Sequence, residues 1–117
     1  MVLNRARCDL LFKSNLFTHN FTNVLDPNCS CGYHHQSTYH VLFHCPLLIN
    51  QRNEYIAGIE SIPALDLDRL NAIPTKDRID IILHGSSNFR HSAILQVLSK
   101  TADFLEFAVQ FYQSLQV

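Results

Sequence analysis

The chain has 117 residues, 47% of them hydrophobic and only 16% charged, with nine basic residues against ten acidic ones. That is enough for one domain with a small core, residues 1–117. It excludes wholesale disorder, and it excludes a strongly basic chain that grips nucleic acid by charge alone.

Leu3, Ala6, Leu10, Leu11 and Phe17 recur at helical spacing, so residues 3–18 read as an amphipathic helix. Residues 20–28 are rich in Asn, Thr, Asp and Pro and read as a loop, and Asn28 to Tyr33 as a small hairpin or knuckle. Ser37 is placed to cap a short helix running to His44. Pro46 can open a second helix that reaches Ala57 and stops before Gly58. Pro63 and Pro74 bracket a short segment, Leu65 to Leu70, of undecided type. Thr75 is placed to cap a helix ending before Gly85, and Ser87 or Asn88 to cap the last helix. In that helix Ile94, Leu95, Leu98, Ala102, Leu105, Ala108 and Tyr112 form one stripe, widened by Phe104, Phe107 and Phe111. The expected fold is mostly α: a small helical domain organised around the knuckle, with no extensive sheet. Composition divides it into an N-terminal helix plus knuckle, 1–58, and a helical tail, 59–117.

Four Cys and seven His are the unusual content of the chain, and three of the Cys and four of the His fall between Cys29 and Cys45. The pattern is Cys29-x-Cys31, eight residues, His40, four residues, Cys45. Three thiolates and one imidazole are a common donor set for a closed structural zinc site. Gly32 after the first pair permits the sharp turn that brings two nearby donors to one ion. The second pair poses a problem of geometry, because residues five apart on a helix point about 140° away from each other. Pro46 answers it by disfavouring the α conformation at Cys45, which is then free to swing back toward the imidazole. His44 competes with His40 for the imidazole position, and the spacing from Ser37 favours His40. Cys8 reads as a buried thiol in the first helix. Disulfides are the competing use of the cysteines, but Cys29 and Cys31 are too close to bridge each other comfortably.

The same residues carry a resemblance. Cys29-Ser30-Cys31-Gly32, Ser37-Thr38-Tyr39-His40-Val41-Leu42-Phe43, Cys45-Pro46 and Arg52 resemble the zinc-binding region C-terminal to the polymerase in reverse transcriptases of non-LTR (LINE-like) retrotransposons. The likeness extends over Arg7 to Ile56 and is specific over residues 29–52. Leu83-His84-Gly85 before a long apolar helix also looks like the tail of those proteins. The resemblance implies one structural zinc ion held by Cys29, Cys31, His40 and Cys45. It implies a module that supports engagement of RNA or DNA, with a reverse transcriptase core as a further partner. Gln36 departs from the pattern, which usually has an acidic residue there. The Tyr-x-Asp-Asp polymerase motif and an endonuclease set of acids are missing from the sequence, so the chain is expected to be non-catalytic, a C-terminal domain or a relic fragment.

RNA or single-stranded DNA would be met by Arg5, Arg7 and Lys13 on the first helix, by Arg52 near the site, and by Tyr33 and His34 on the knuckle, where rings can stack on unpaired bases. The other reading is a purely structural domain that the zinc staples and that docks on a polymerase or another protein. Asn4, Arg5, Arg7 and Asp9 stand where a secretory signal needs an apolar stretch. No apolar run approaches the roughly 18 residues of a membrane span. The expected location is therefore intracellular, cytoplasm or nucleus, with no membrane partner.

Overall fold

A computed structural model describes residues 2–7, 11–12 and 27–115. The described residues are mostly helical and contain no strand. In chain order the helices are α1 (Val2–Arg7), α2 (Thr38–Phe43), a 3-10 turn (Pro46–Leu48), α3 (Ile49–Glu60), α4 (Leu67–Ala72), α5 (Thr75–His84) and α6 (His91–Ser114). The long α6 is the centrepiece, and α1, α3 and α5 pack against it. Most of the helix expected over 3–18 and most of the loop over 20–28, with Cys8 and Lys13, lie outside the described residues.

The stripe on α6 that faces the core is Ala93, Ile94, Val97, Thr101, Phe104, Leu105, Ala108 and Tyr112. It is rotated from the expected one. Leu95 and Phe107 face solvent, 52% and 40% exposed. Thr101 takes a core position, fully buried, because its hydroxyl is satisfied twice. It donates to the Val97 carbonyl at 2.9 Å and meets the Tyr55 hydroxyl of α3 at 2.7 Å. Tyr55 also stacks on Phe104, with ring centroids 5.1 Å apart. A polar residue can thus occupy an apolar stripe when its partners are built in.

Several helix ends differ from expectation, each for a local reason. α3 begins after the 3-10 turn and runs through Gly58 to Glu60, across the compositional boundary at 58. Gly58 sits where the stem of Lys100 crosses from α6, and a Cβ there would meet Lys100 Cδ at 3.1 Å. It provides room for a close approach and does not end the helix. The Pro63–Pro74 segment resolves into helix α4, capped by Asp66, whose carboxylate accepts from the Arg69 N–H at 3.1 Å. Thr75 is the first residue of α5, not its cap; the cap position is Pro74. α5 does end at Gly85, whose φ of 85° and ψ of 178° lie in a region open essentially to glycine alone. The last helix starts at His91 with Arg90 as its cap, three residues after Ser87 and two after Asn88. Those two residues belong to a separate turn, in which the Ser86 hydroxyl accepts from the Asn88 N–H and Arg69 donates to the Asn88 carbonyl at 3.0 Å.

Candidate metal centre

The knuckle is a tight turn closed by its own backbone. The Cys29 N–H donates to the Tyr33 carbonyl at 2.9 Å, and the Gly32 N–H to the Cys29 carbonyl at 3.0 Å. Gly32 has a φ of 98°, so glycine is required here by conformation; a Cβ would meet nothing within 4 Å. The Gln36 N–H then donates to the Pro27 carbonyl at 2.8 Å, tying the exit of the knuckle to its entry.

α2 supplies the other two donors. Ser37 caps it as expected, its hydroxyl accepting from the His40 N–H at 3.1 Å. The helix ends at Phe43, and the His40 carbonyl accepts from both His44 and Cys45, each at 2.8 Å. Cys45 itself is extended, with φ −62° and ψ 118°, and Pro46 begins the 3-10 turn. This is the unwinding that the Cys-Pro pair implies, and it returns the Cys45 side chain to the side of His40.

The result is a cluster. The Sγ atoms of Cys29, Cys31 and Cys45 and a ring nitrogen of His40 all lie within 4.8 Å of one another. Cys29 Sγ is 3.8 Å from Cys45 Sγ, and Cys31 Sγ is 3.3 Å from His40 Nε2. A tetrahedral ion with arms of about 2.3 Å to sulfur and about 2.0 Å to nitrogen has edges of roughly 3.8 Å between sulfurs and roughly 3.5 Å between sulfur and nitrogen. These two pairs match such an ion by distance, and the four donors lie close enough together, with suitable chemistry, to hold one. His44 is outside the cluster: its side chain is exposed and packs on Tyr39, with ring centroids 5.0 Å apart.

Burial and neighbouring groups also perturb the charge of Cys29, Cys31 and His40. Burial pushes the Cys31 thiol up to about 11, with the adjacent Cys29 and Cys45 adding to it and the Tyr33 backbone N–H opposing. Burial opposes charge on Cys29 too, but hydrogen bonds from the Cys31 backbone, the Tyr112 hydroxyl and the other two thiols outweigh it and bring that thiol below its ordinary value. Three thiolates this close repel one another, so the fully deprotonated set requires a cation among them. Burial, helped by His44 and Arg52, lowers the pKa of His40 and keeps its imidazole in the neutral form that ligates metals.

The surroundings of the cluster hold residues that the spacing pattern does not reveal. The Gln36 amide approaches Cys29 Sγ at 3.9 Å, and the Tyr112 hydroxyl lies 3.7 Å from the same sulfur. Facing a thiolate, both act as donors. Gln36 stands where the resembling proteins have an acid, and beside sulfur anions an uncharged donor is the better complement. Tyr112 comes from α6, 83 residues away, and Phe12 packs edge-on against its ring. Only its place on an apolar stripe marks Tyr112 in the sequence, and that says nothing of sulfur. Tyr33 lies flat on His40, with centroids 4.6 Å and planes 10° apart, and shields the imidazole.

Two of the residues expected to meet nucleic acid make hydrogen bonds within the chain. Arg52 is buried, and its guanidinium donates to the Leu42 and Val41 carbonyls at 3.0 and 2.9 Å. It closes the C-terminus of α2, where carbonyls lack helical partners. Arg7 donates to the Leu83 carbonyl near the end of α5 and to Asn4. Arg5, Tyr33 and His34 are exposed. Comparison with protein-family models, with curated proteins and with solved structures finds no match. No helix among the described residues is long and apolar enough to cross a membrane.

Proposed function

We propose that the chain is a non-catalytic, structural zinc module, with one zinc ion held by Cys29, Cys31, His40 and Cys45. The observation that carries this is the convergence of four protein donors, three sulfurs and a nitrogen, on one point in a mostly buried setting. Four protein ligands leave no coordination position for water or substrate, which is the mark of a structural site. Sulfur-rich tetrahedral sets select zinc over the harder cations. The ion would tie the knuckle to α2, and Tyr112 would join both to α6. Metal binding in such sites is worth about 10–16 kcal/mol in small peptides, as much as the net stability of a whole domain.

By its resemblance to the region C-terminal to the polymerase in non-LTR reverse transcriptases, the module serves such an enzyme core. A direct role in RNA or single-stranded DNA engagement is the second reading. It rests on Tyr33 and Tyr39, which are 50% and 42% exposed beside the site and offer rings for stacking. The burial of Arg52 and the engagement of Arg7 move the balance toward the structural role.

Elemental analysis of the purified chain tests the metal: one zinc per chain is expected. Cys29→Ser and Cys45→Ser should each abolish zinc retention and open the domain to proteolysis, and stoichiometric zinc in both variants would refute the ligand set. Titration with single-stranded RNA at low salt tests the second reading, which fails if no binding is measurable.

A further inference from the structure

The three thiols of the site are unequal in access. Cys29 is 4% exposed and Cys45 is fully buried, whereas Cys31 is partly exposed. An open groove leads to it. The groove is walled by Tyr33, Tyr39, His44 and Pro46, and it reaches Cys31 but neither Cys29 nor Cys45. Cys29 is covered instead by Gln36 and Tyr112. Among the described residues the groove carries no acid and no Lys or Arg, so a small neutral molecule meets neither attraction nor repulsion from them.

We propose that Cys31 is a modification site for hydrogen peroxide, and that its oxidation leads to a Cys31–Cys45 disulfide and ejects the metal. The proposal rests on the zinc module described above, since a bound dication keeps the thiols deprotonated and the thiolate is the nucleophile. The Cys31 sulfur attacks one peroxide oxygen. An S–O bond forms, the O–O bond breaks, and hydroxide leaves to become water on taking a proton from solvent. Cys31 is then a sulfenic acid, which no longer offers an anionic sulfur to the ion. Cys45 lies within 4.8 Å. Its thiolate attacks the Cys31 sulfur: an S–S bond forms, the S–O bond breaks, and a second hydroxide leaves. Two thiolates have given two electrons, and one peroxide has become two waters. Cys29 is the poorer resolving partner for Cys31, because one intervening residue forces strain into the bridge. Cys29 and His40 remain as donors, too few to hold the ion in a closed tetrahedral site.

The test uses the full chain carrying Cys8→Ser, so that the three thiols of the site are the only ones, loaded with zinc and treated with hydrogen peroxide. Dimedone traps sulfenic acid for peptide mapping, and a chromophoric chelator follows free zinc. The expected result is dimedone first on Cys31. Without dimedone, one zinc is released per Cys31–Cys45 disulfide, and reductant plus zinc restores the loaded form. First labelling on Cys29 or Cys45, or zinc release with Cys31 unmodified, would overturn the proposal. A chain that carries no zinc before peroxide is added would instead overturn the zinc module itself.

Discussion

Arg52 illustrates how a single residue changes meaning with depth. On a surface, its charge offers a phosphate contact. At 9% exposure it serves the backbone, its planar fork spanning two consecutive carbonyls at the end of α2. A lysine has the charge but not the fork. Arg52→Ala should strand those carbonyls, at roughly 1–3 kcal/mol for each one left unsatisfied, and Arg52→Lys should recover only part of the loss. Thermal unfolding of the zinc-loaded chain measures both. A stability unchanged in Arg52→Ala would return Arg52 to the surface role. The same scale separates His40 from His44. Both lie on one side of a single turn, and only burial within the cluster distinguishes them.

At the scale of elements, the site depends on where α2 stops. A helix continued through Cys45 would carry its thiol away from His40, and Pro46 prevents this. Pro46→Ala removes the steric bar but leaves the two bonds from His44 and Cys45 to the His40 carbonyl. Zinc affinity should therefore fall, though less than on loss of a ligand; competition with a chelator measures it. Unchanged affinity would show that those two bonds alone hold Cys45 in place. Elements punctuated by a strong local signal are the ones legible in the sequence: Ser37 before α2, Cys-Pro after it, Gly85 after α5. Where the signal was a glycine used for clearance, as at Gly58, or a serine used in a turn, as at Ser87, the expected boundary was displaced. The residue type was read correctly as special, but its purpose lay in a neighbour distant in sequence.

For the whole molecule, the proposed zinc module makes metal and fold one equilibrium. The centre draws on the knuckle, α2 and α6, so a chelator should lower the melting temperature by a large margin and loosen α6 as well as the knuckle. Hydrogen exchange at Tyr112 and its neighbours would report it. Protection on α6 unaffected by chelation would confine the role of the metal to the knuckle. Acid acts in the same direction. The pKa of His40 is lowered in the folded chain, so the unfolded chain takes up that proton first. The contribution of His40 is complete above about 6.5, the ordinary value, and is lost as pH falls through its lower folded value. Zinc should leave over this range and below as the thiolates are also protonated, which a pH titration of bound zinc would show. One dication with three thiolates adds a net −1 to the formal charge of −1, so loading makes the chain more acidic and no better suited to bind nucleic acid by charge.

The sequence by itself determined the helical class, the turn at Gly32, the cap at Ser37, the break at Cys45-Pro46 and a donor set narrowed to one choice between two histidines. These are local matters, decided by backbone sterics and by the spacing of residues a few positions apart. Tertiary structure alone decided that His40 and not His44 joins the three cysteines, that Arg52 serves α2, that Gln36 and Tyr112 support Cys29, and which face of α6 is buried. Each of those depends on what a side chain meets across the core. Tyr112 stands 83 residues from Cys29, and only the packing of α6 brings its hydroxyl to the sulfur.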